Sequence, residues 1–447
     1  MRLGASQEII TPFDTVELAG YVLREQPSEG VLDDLYARAL FFQEGDARLL
    51  WIHADLIGFS RPWTLALRQA LAEELGLGVH EILLTATHTH AGPATLPLRG
   101  CGQMDEQYMA FLEEALKGVA RRAAANAEEV NLFFAEGFSP LAKDRRGDKP
   151  SAHVNHQLPV LSFRRADGSY VAVWANYGMH NVALSWENRL ISGDMAGHAA
   201  RMLQQRLQGE PVILWTNGAC GNVNPAASSA LPKLMQGYGD SLVIAAMDAI
   251  RRSQPVAETT LAVAEKAVAL DLEIPTAEEI EQAYAATLQR AEGHPRVQRA
   301  MDEWREQALA AIAEGAPAQV EVGVHAIRLG PLRLAAIGAE VFSHMTEALR
   351  AILGFRTYVV GYANGVVGYL APRVVYDEGG YEVEDAYKYY GLFRLAPDSY
   401  DRVYDEALAL LQSLEMPPQA EAAMPSEAEP SEPAPGEAEP PQEGPAE

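Results

Sequence analysis

Short apolar runs of β type alternate along the chain with stretches whose apolar residues recur at helical spacing. Arg48–His53 is followed by a helical pattern over Pro62–Leu75, and Glu81–Thr87 by one over Asp105–Ala125. Tyr170–Asn176, Val212–Thr216, Leu332–Ile337 and Thr357–Tyr362 read as further strands, with a helical stretch through Leu349 between the last two. This rhythm predicts an α/β fold, a mixed central β-sheet flanked by helices. Thr276–Glu314 breaks it with two helical patterns interrupted at Gly293-His294-Pro295. That pair predicts a helical insertion, either an ordinary hairpin or a lid. No internal repeat is evident in the sequence.

The pattern stops at Met416. Residues 416–447 are Pro, Glu and Ala with almost no large apolar residue, so they bury too little to offset ordering and are expected to be a disordered acidic tail. One domain over 1–415 is left. The 447 residues carry a formal net charge of −26, of which the eight Glu of the tail account for part. Such a balance argues against nucleic acid as a partner. No apolar run approaches the length of a membrane span, and the start of the chain has no secretory pattern. The two cysteines, Cys101 and Cys220, form no CxxC pair. A reducing cytoplasm is the expected location.

Polar, chemically capable residues gather just after the apolar runs. His88-Thr89-His90 follows the first such run, and His180 follows Tyr177-Gly178-Met179. The loop Gly218–Pro225, Glu340 and the segment Asn364–Tyr369 follow three others. In open α/β sheets the ligand crevice lies at the carboxyl ends of the strands, so these segments are expected to share one edge. In extended chain, i and i+2 face one side, so His88 and His90 could offer two imidazoles to one centre. Each feature alone has an ordinary reading: a hydrogen-bonded His pair, a tight turn at Gly218–Pro225, a Glu at a helix start. The glycine loop could instead present N–H groups of Gly218, Gly221 and Asn222 to an oxyanion. Cys220 reads as a small buried thiol, and His53 with Asp55 as a core pair or as support behind the site.

Together these segments resemble the N-terminal catalytic domain of the neutral/alkaline ceramidase family. His88-Thr89-His90-Ala91-Gly92-Pro93 is similar to its HTHSGP motif, and His180 with Ser192-Gly193-Asp194 to its second histidine and SGD segment. Gly338-Ala339-Glu340 and Asn364–Tyr369 look like its glutamate and tyrosine segments. The resemblance implies one zinc per chain, held by His88, His180, Glu340 and Tyr369, and hydrolysis of an N-acyl amide by metal-activated water. It implies His90 as general acid and base, Arg145 (Arg146 as fallback) beside the substrate, and Tyr381 as a second tyrosine of the site. Asp194 would orient a ligand histidine through its free ring nitrogen.

Two departures stand out. Asn224 occupies the position of the family's Ser, so a Ser-centred covalent route is not available; Asn224 could donate a hydrogen bond to the oxyanion instead. The family's C-terminal β-sandwich is not expected here, because the acidic tail follows residue 415 instead. The expected partner is therefore a small N-acyl or lipid-like molecule. A non-catalytic zinc- or ligand-binding relative, and a zinc hydrolase of an ester or other acyl bond, are the alternatives.

Overall fold

The computed structural model describes residues 1–391 and 393–415. The expected tail, 416–447, lies outside the described residues. The α/β expectation holds, with one revision: among the described residues the strands form three mixed five-stranded sheets and three two-stranded ones rather than one central sheet.

The three sheets share one connectivity. In the first, β1 (Arg2–Ile9), β2 (Tyr36–Glu44) and β3 (Ala47–Ala54) run antiparallel. Helix α1 (Arg61–Leu75) then returns the chain to β4 (Ile82–Ala86), which lies parallel to β3, and α2 (Glu106–Ala125) packs on β1 and β2. The second unit repeats this with β5 (Asn131–Phe138), β6 (Gln157–Arg164), β7 (Tyr170–Tyr177), α3 (Asp194–Arg206), β8 (Val212–Asn217) and α4 (Pro232–Arg252). The third uses β9 (Leu261–Glu273), inserts helices α5 (Ala277–Arg290) and α6 (Pro295–Glu314), and continues through β10 (Gln319–Leu329), β11 (Leu332–Ile337), α7 (His344–Leu353), β12 (Thr357–Val360) and α8 (Ser399–Ser413). In each unit the last two strands are the parallel pair, and a short fifth strand edges the first.

The repetition extends to register. Ala5, Leu40, Trp51 and Leu83 lie side by side across the first sheet. Phe134, Leu161, Trp174 and Leu214 do so in the second, and Val263, Ile327, Leu334 and Tyr358 in the third. All twelve face one apolar core enclosed by the three sheets. Trp51 and Trp174 meet there with ring centroids 6.2 Å apart, and Trp174 meets Tyr358 at 6.2 Å. A second, larger core fills the space beneath the helices. The sequence shows no repeat because a buried layer needs apolar volume rather than particular residues, so Trp, Leu and Tyr exchange freely at equivalent positions.

The insertion is a helical hairpin broken where expected. Thr276 caps α5 through a reciprocal pair with Glu279, and Pro295 opens α6. It is anchored to the segment that follows the site: Arg290 pairs with Asp385, and the buried ammonium of Lys388 bonds Thr287 and Asp385. Among the described residues no helix is long and apolar enough to cross a membrane.

Candidate metal centre

The parallel strand pairs of the three units point their carboxyl ends at one place. His88 comes from the loop after β4, His180 from the loop after β7 and Glu340 from the loop after β11. Their ligand atoms all lie within 4.8 Å of one another, and all three side chains are buried. His180 Nε2 is 2.8 Å from Glu340 Oε2, and His88 Nε2 is 3.5 Å from the same oxygen.

Backbone carbonyls fix both imidazoles. His88 Nδ1 donates to the Ile57 carbonyl at 2.6 Å, and His180 Nδ1 to the Val223 carbonyl at 3.1 Å. In neutral rings the Nε2 atoms then carry lone pairs, and they converge with a carboxylate that also only accepts. Three acceptors this close repel unless a cation lies among them. The set therefore fits a small divalent metal, with each histidine held through its other nitrogen.

The local backbone explains the aim of His88. It is not extended, as the i, i+2 argument supposed, but sits at φ 59°, a left-handed conformation unusual outside glycine. Tyr362 and Asn364 share that region at φ 55° and 51°. Three such residues at one strand edge mark a backbone held by its surroundings. Asn364 supplies part of that hold, bonding the Leu84 N–H through Oδ1 and the Leu84 carbonyl through its own N–H.

His90 stands beside the triad, Nε2 3.2 Å from His88 Nε2. Its close seat requires glycine at position 20, where a Cβ would meet His90 Nδ1 at 2.3 Å. Burial drives the His90 imidazole well below its ordinary pKa and brings His88 down to about 4. Tyr369 pairs with Glu340 through a short parallel bridge and stacks on His180 at 6.5 Å. The Arg145 guanidinium lies 5.1 Å over the Tyr369 ring and 5.6 Å over that of Tyr381. Its Nε bonds Glu382 and its Nη2 the Gly221 carbonyl. Arg146 instead enters a buried network with Glu378, Glu382 and Ser151 and is structural.

Several expectations need correction. Asp194 orients neither ligand histidine; its oxygens accept the Leu184 and Met195 N–H groups. Two of the three glycine-loop donors are spent on neighbouring backbone. The Gly218 N–H goes to the Tyr177 carbonyl and that of Gly221 to the Val341 carbonyl at 2.7 Å. A Cβ at Gly221 would meet the Glu340 carbonyl oxygen at 2.5 Å, so this glycine permits close packing behind Glu340. The Asn222 side-chain amide is structural, bonded to Ser343, Asp144 and the His153 carbonyl. Glu340 does not open a helix: it lies in a two-residue strand, and α7 begins at His344 after Ser343. His53 bonds Thr85 and Asp55 pairs with Arg38, both inside the core.

Two tyrosines escaped the sequence reading. Tyr390 donates to Glu340 Oε1 at 2.5 Å, orienting the carboxylate from the side opposite the histidines. Tyr362 stacks on His88 at 4.1 Å and places its hydroxyl 3.4 Å from Glu340 Oε2 and 3.3 Å from the Cys220 thiol. Tyr362 closes a strand pattern and read as its last residue; nothing in the sequence marks Tyr390.

Two adjoining cavities open on the centre. One, about 420 Å3, is lined by Arg145, Asn224 and Ser228 as well as His90 and His180. The other, about 240 Å3, is largely apolar, with Leu23, Ile57, Leu98 and Trp186 around His88 and Glu340. His90, Tyr21, Tyr369 and Tyr381 border both.

Comparison with known proteins agrees with this architecture. Residues 2–137 match the family described as neutral/alkaline non-lysosomal ceramidase, N-terminal. The neutral ceramidase of Pseudomonas aeruginosa is 26% identical over 207 residues, 41% of this chain and 30% of that protein. That of Mycobacterium tuberculosis is 30% identical over 206 residues, 41% of this chain and 32% of that protein. The aligned stretch thus spans about a third of the curated relatives. The crystal structure of the Pseudomonas aeruginosa neutral ceramidase superposes with a TM-score of 0.73 at 19% identity, covering 92% of this chain and 74% of that one, which establishes a shared fold. The chain is thus similar to the neutral/alkaline non-lysosomal ceramidases over residues 2–137, and it shares the fold of the Pseudomonas aeruginosa neutral ceramidase.

Proposed function

We propose that the chain is a zinc-dependent amidase that hydrolyses an N-acyl amide. The observation that carries this reading is the convergence of His88, His180 and Glu340 from three separate units. The neutral ceramidases matching its N-terminal region point to the same bond. Zinc suits two imidazoles and a carboxylate, and Tyr369 is the fourth ligand we assign. When bound, zinc polarises a carbonyl and brings the pKa of water toward 7.

The chain's own residues supply the rest. His90 is neutral at pH 7 because burial disfavours its cation, so its Nε2 can accept a proton and return it to the departing amine. Arg145 has five N–H donors and spends two on Glu382 and Gly221, leaving others for a developing oxyanion. Burial holds the Tyr369 phenol well above its ordinary pKa, and the Arg145 guanidinium, kept over the ring by Glu382, works against that shift. Asn224 stands in the larger cavity where a Ser nucleophile would have stood, so attack falls to water.

Metal analysis of the purified chain and an assay on N-acyl amides test this reading. One zinc per chain is expected, with turnover lost and metal retained in His90→Ala. Bound zinc without hydrolysis of any acyl substrate would remove the enzymatic assignment and keep the site.

A further inference from the structure

The two cavities at the centre differ in size and chemistry. The apolar one holds about 240 Å3. A bound water takes roughly 30 Å3 of liquid volume and a methylene a similar space, so about eight such groups fill it. Pockets for drug-sized ligands run from about 300 Å3 upward, so a long alkyl chain does not fit inside. Two segments bound it: Gly20–Leu23, and Tyr381–Tyr390 with the rings of Tyr381, Tyr389 and Tyr390. The second segment is tied to the helical hairpin through Asp385 and Lys388. Tyr21 is fixed by its hydroxyl on the Leu184 carbonyl at 3.0 Å. Trp186, 42% exposed, stands at the rim.

The larger cavity carries the polar groups. Arg145 lies on one wall and Asn224 on another. The Asn224 amide oxygen is buried and accepts no hydrogen bond. A buried acceptor left unpaired costs about 1–3 kcal/mol, which a ligand N–H or O–H would recover. The side chain sits on a short strand (Val223–Pro225) paired with Ala142–Asp144, so its position is set by backbone rather than by its own contacts.

We infer, resting on the amidase reading, that the substrate carries a short acyl group, about eight carbons or one ring, in the apolar cavity. Its amine half bears a hydroxyl whose O–H Asn224 Oδ1 accepts in the polar one. The scissile carbonyl then lies between the cavities, at the border shared by His90, Tyr369 and Tyr381. This assigns Asn224 as a specificity-determining residue for the amine half and Trp186 as the limit on acyl length.

The test uses the zinc-loaded full chain and N-acyl ethanolamides with acyl chains of two, four, eight, twelve and sixteen carbons, together with the N-benzoyl compound. We expect kcat/KM to peak near eight carbons and fall at least about tenfold by sixteen. Trp186→Ala should move the peak to longer chains. Asn224→Ala should raise KM about tenfold for the ethanolamide and leave that of its O-methyl ether unchanged. Equal or better turnover of the sixteen-carbon amide overturns this inference and leaves the amidase reading standing. An Asn224→Ala effect of the same size on both compounds overturns the assignment of Asn224. No hydrolysis of any amide, with zinc bound, overturns the amidase reading itself.

Discussion

The first unit and its two successors share a scaffold and differ at its tip. Counting six residues on from the equivalent positions Trp51, Trp174 and Leu334 gives Ile57, His180 and Glu340. In the second and third units that position supplies a ligand side chain to the candidate centre. In the first it supplies only a carbonyl, which holds His88 Nδ1, while the Ile57 side chain lines the apolar cavity. The first unit contributes its ligand from its other loop: His88 lies five residues beyond Leu83, where the second and third units have Ala219 and Ala363. Three like scaffolds thus give an unlike set of donors, and the side lined by Ile57 stays apolar. The strands place the loops; single residues at the loop tips decide which tip binds and which shapes a cavity.

The largest effect should come from removing a ligand tip. His180→Ala is expected to leave the purified chain with little metal and to lower amidase kcat/KM by more than about a hundredfold, beyond what partners behind the ligands command. Retained stoichiometric metal by elemental analysis would show that the centre does not depend on the second unit.

A smaller effect separates the same two units inside the core. His53 lies two residues after Trp51, where Trp174 is followed by Asn176. Burial pushes His53 down to about 3 from an ordinary 6.5, with the Arg38 charge adding to the shift. The folded pKa lies below the unfolded one, so the unfolded chain takes up this proton first. The stability contribution is whole above pH 6.5 and is lost as pH falls toward 3, at up to about 1.4 kcal/mol per pH unit for this one group. Urea unfolding between pH 7 and 5 should show that acid slope, and His53→Asn should make it shallower. An unchanged slope would mean the imidazole is not the group that charges.

The smallest change concerns the apolar tip. Ile57→Val should cost about 0.5–1.5 kcal/mol of stability and leave metal content intact, because the carbonyl and not the side chain holds His88. Loss of metal in this variant would mean that the packing of Ile57 sets the carbonyl's position.

The parallel strand pairs and the helical hairpin were legible because they carry strong local signals: uninterrupted apolar runs, helical periodicity, Pro295 after a turn. The antiparallel strands β1 and β5 were not read, since their half-buried faces mix polar with apolar residues, nor was β6, where Pro159 interrupts a buried apolar run. Among the site residues, those in compact motifs were nameable in advance. Tyr390 was not, because a tyrosine becomes a partner of Glu340 only through the path that the chain takes after Tyr369.

Sequence by itself determined which residue types could do chemistry and that they follow apolar strands, because burial and periodicity are local properties of the chain. Only the tertiary structure decided that three units of one design stack their sheets around Trp51, Trp174 and Tyr358. It decided too that Gly218 and Gly221 spend their N–H groups on neighbouring backbone while Asn224 keeps a free acceptor. The physical reason is that hydrogen-bond partnership is settled between segments far apart in the chain, and no local pattern records which partner each group will meet.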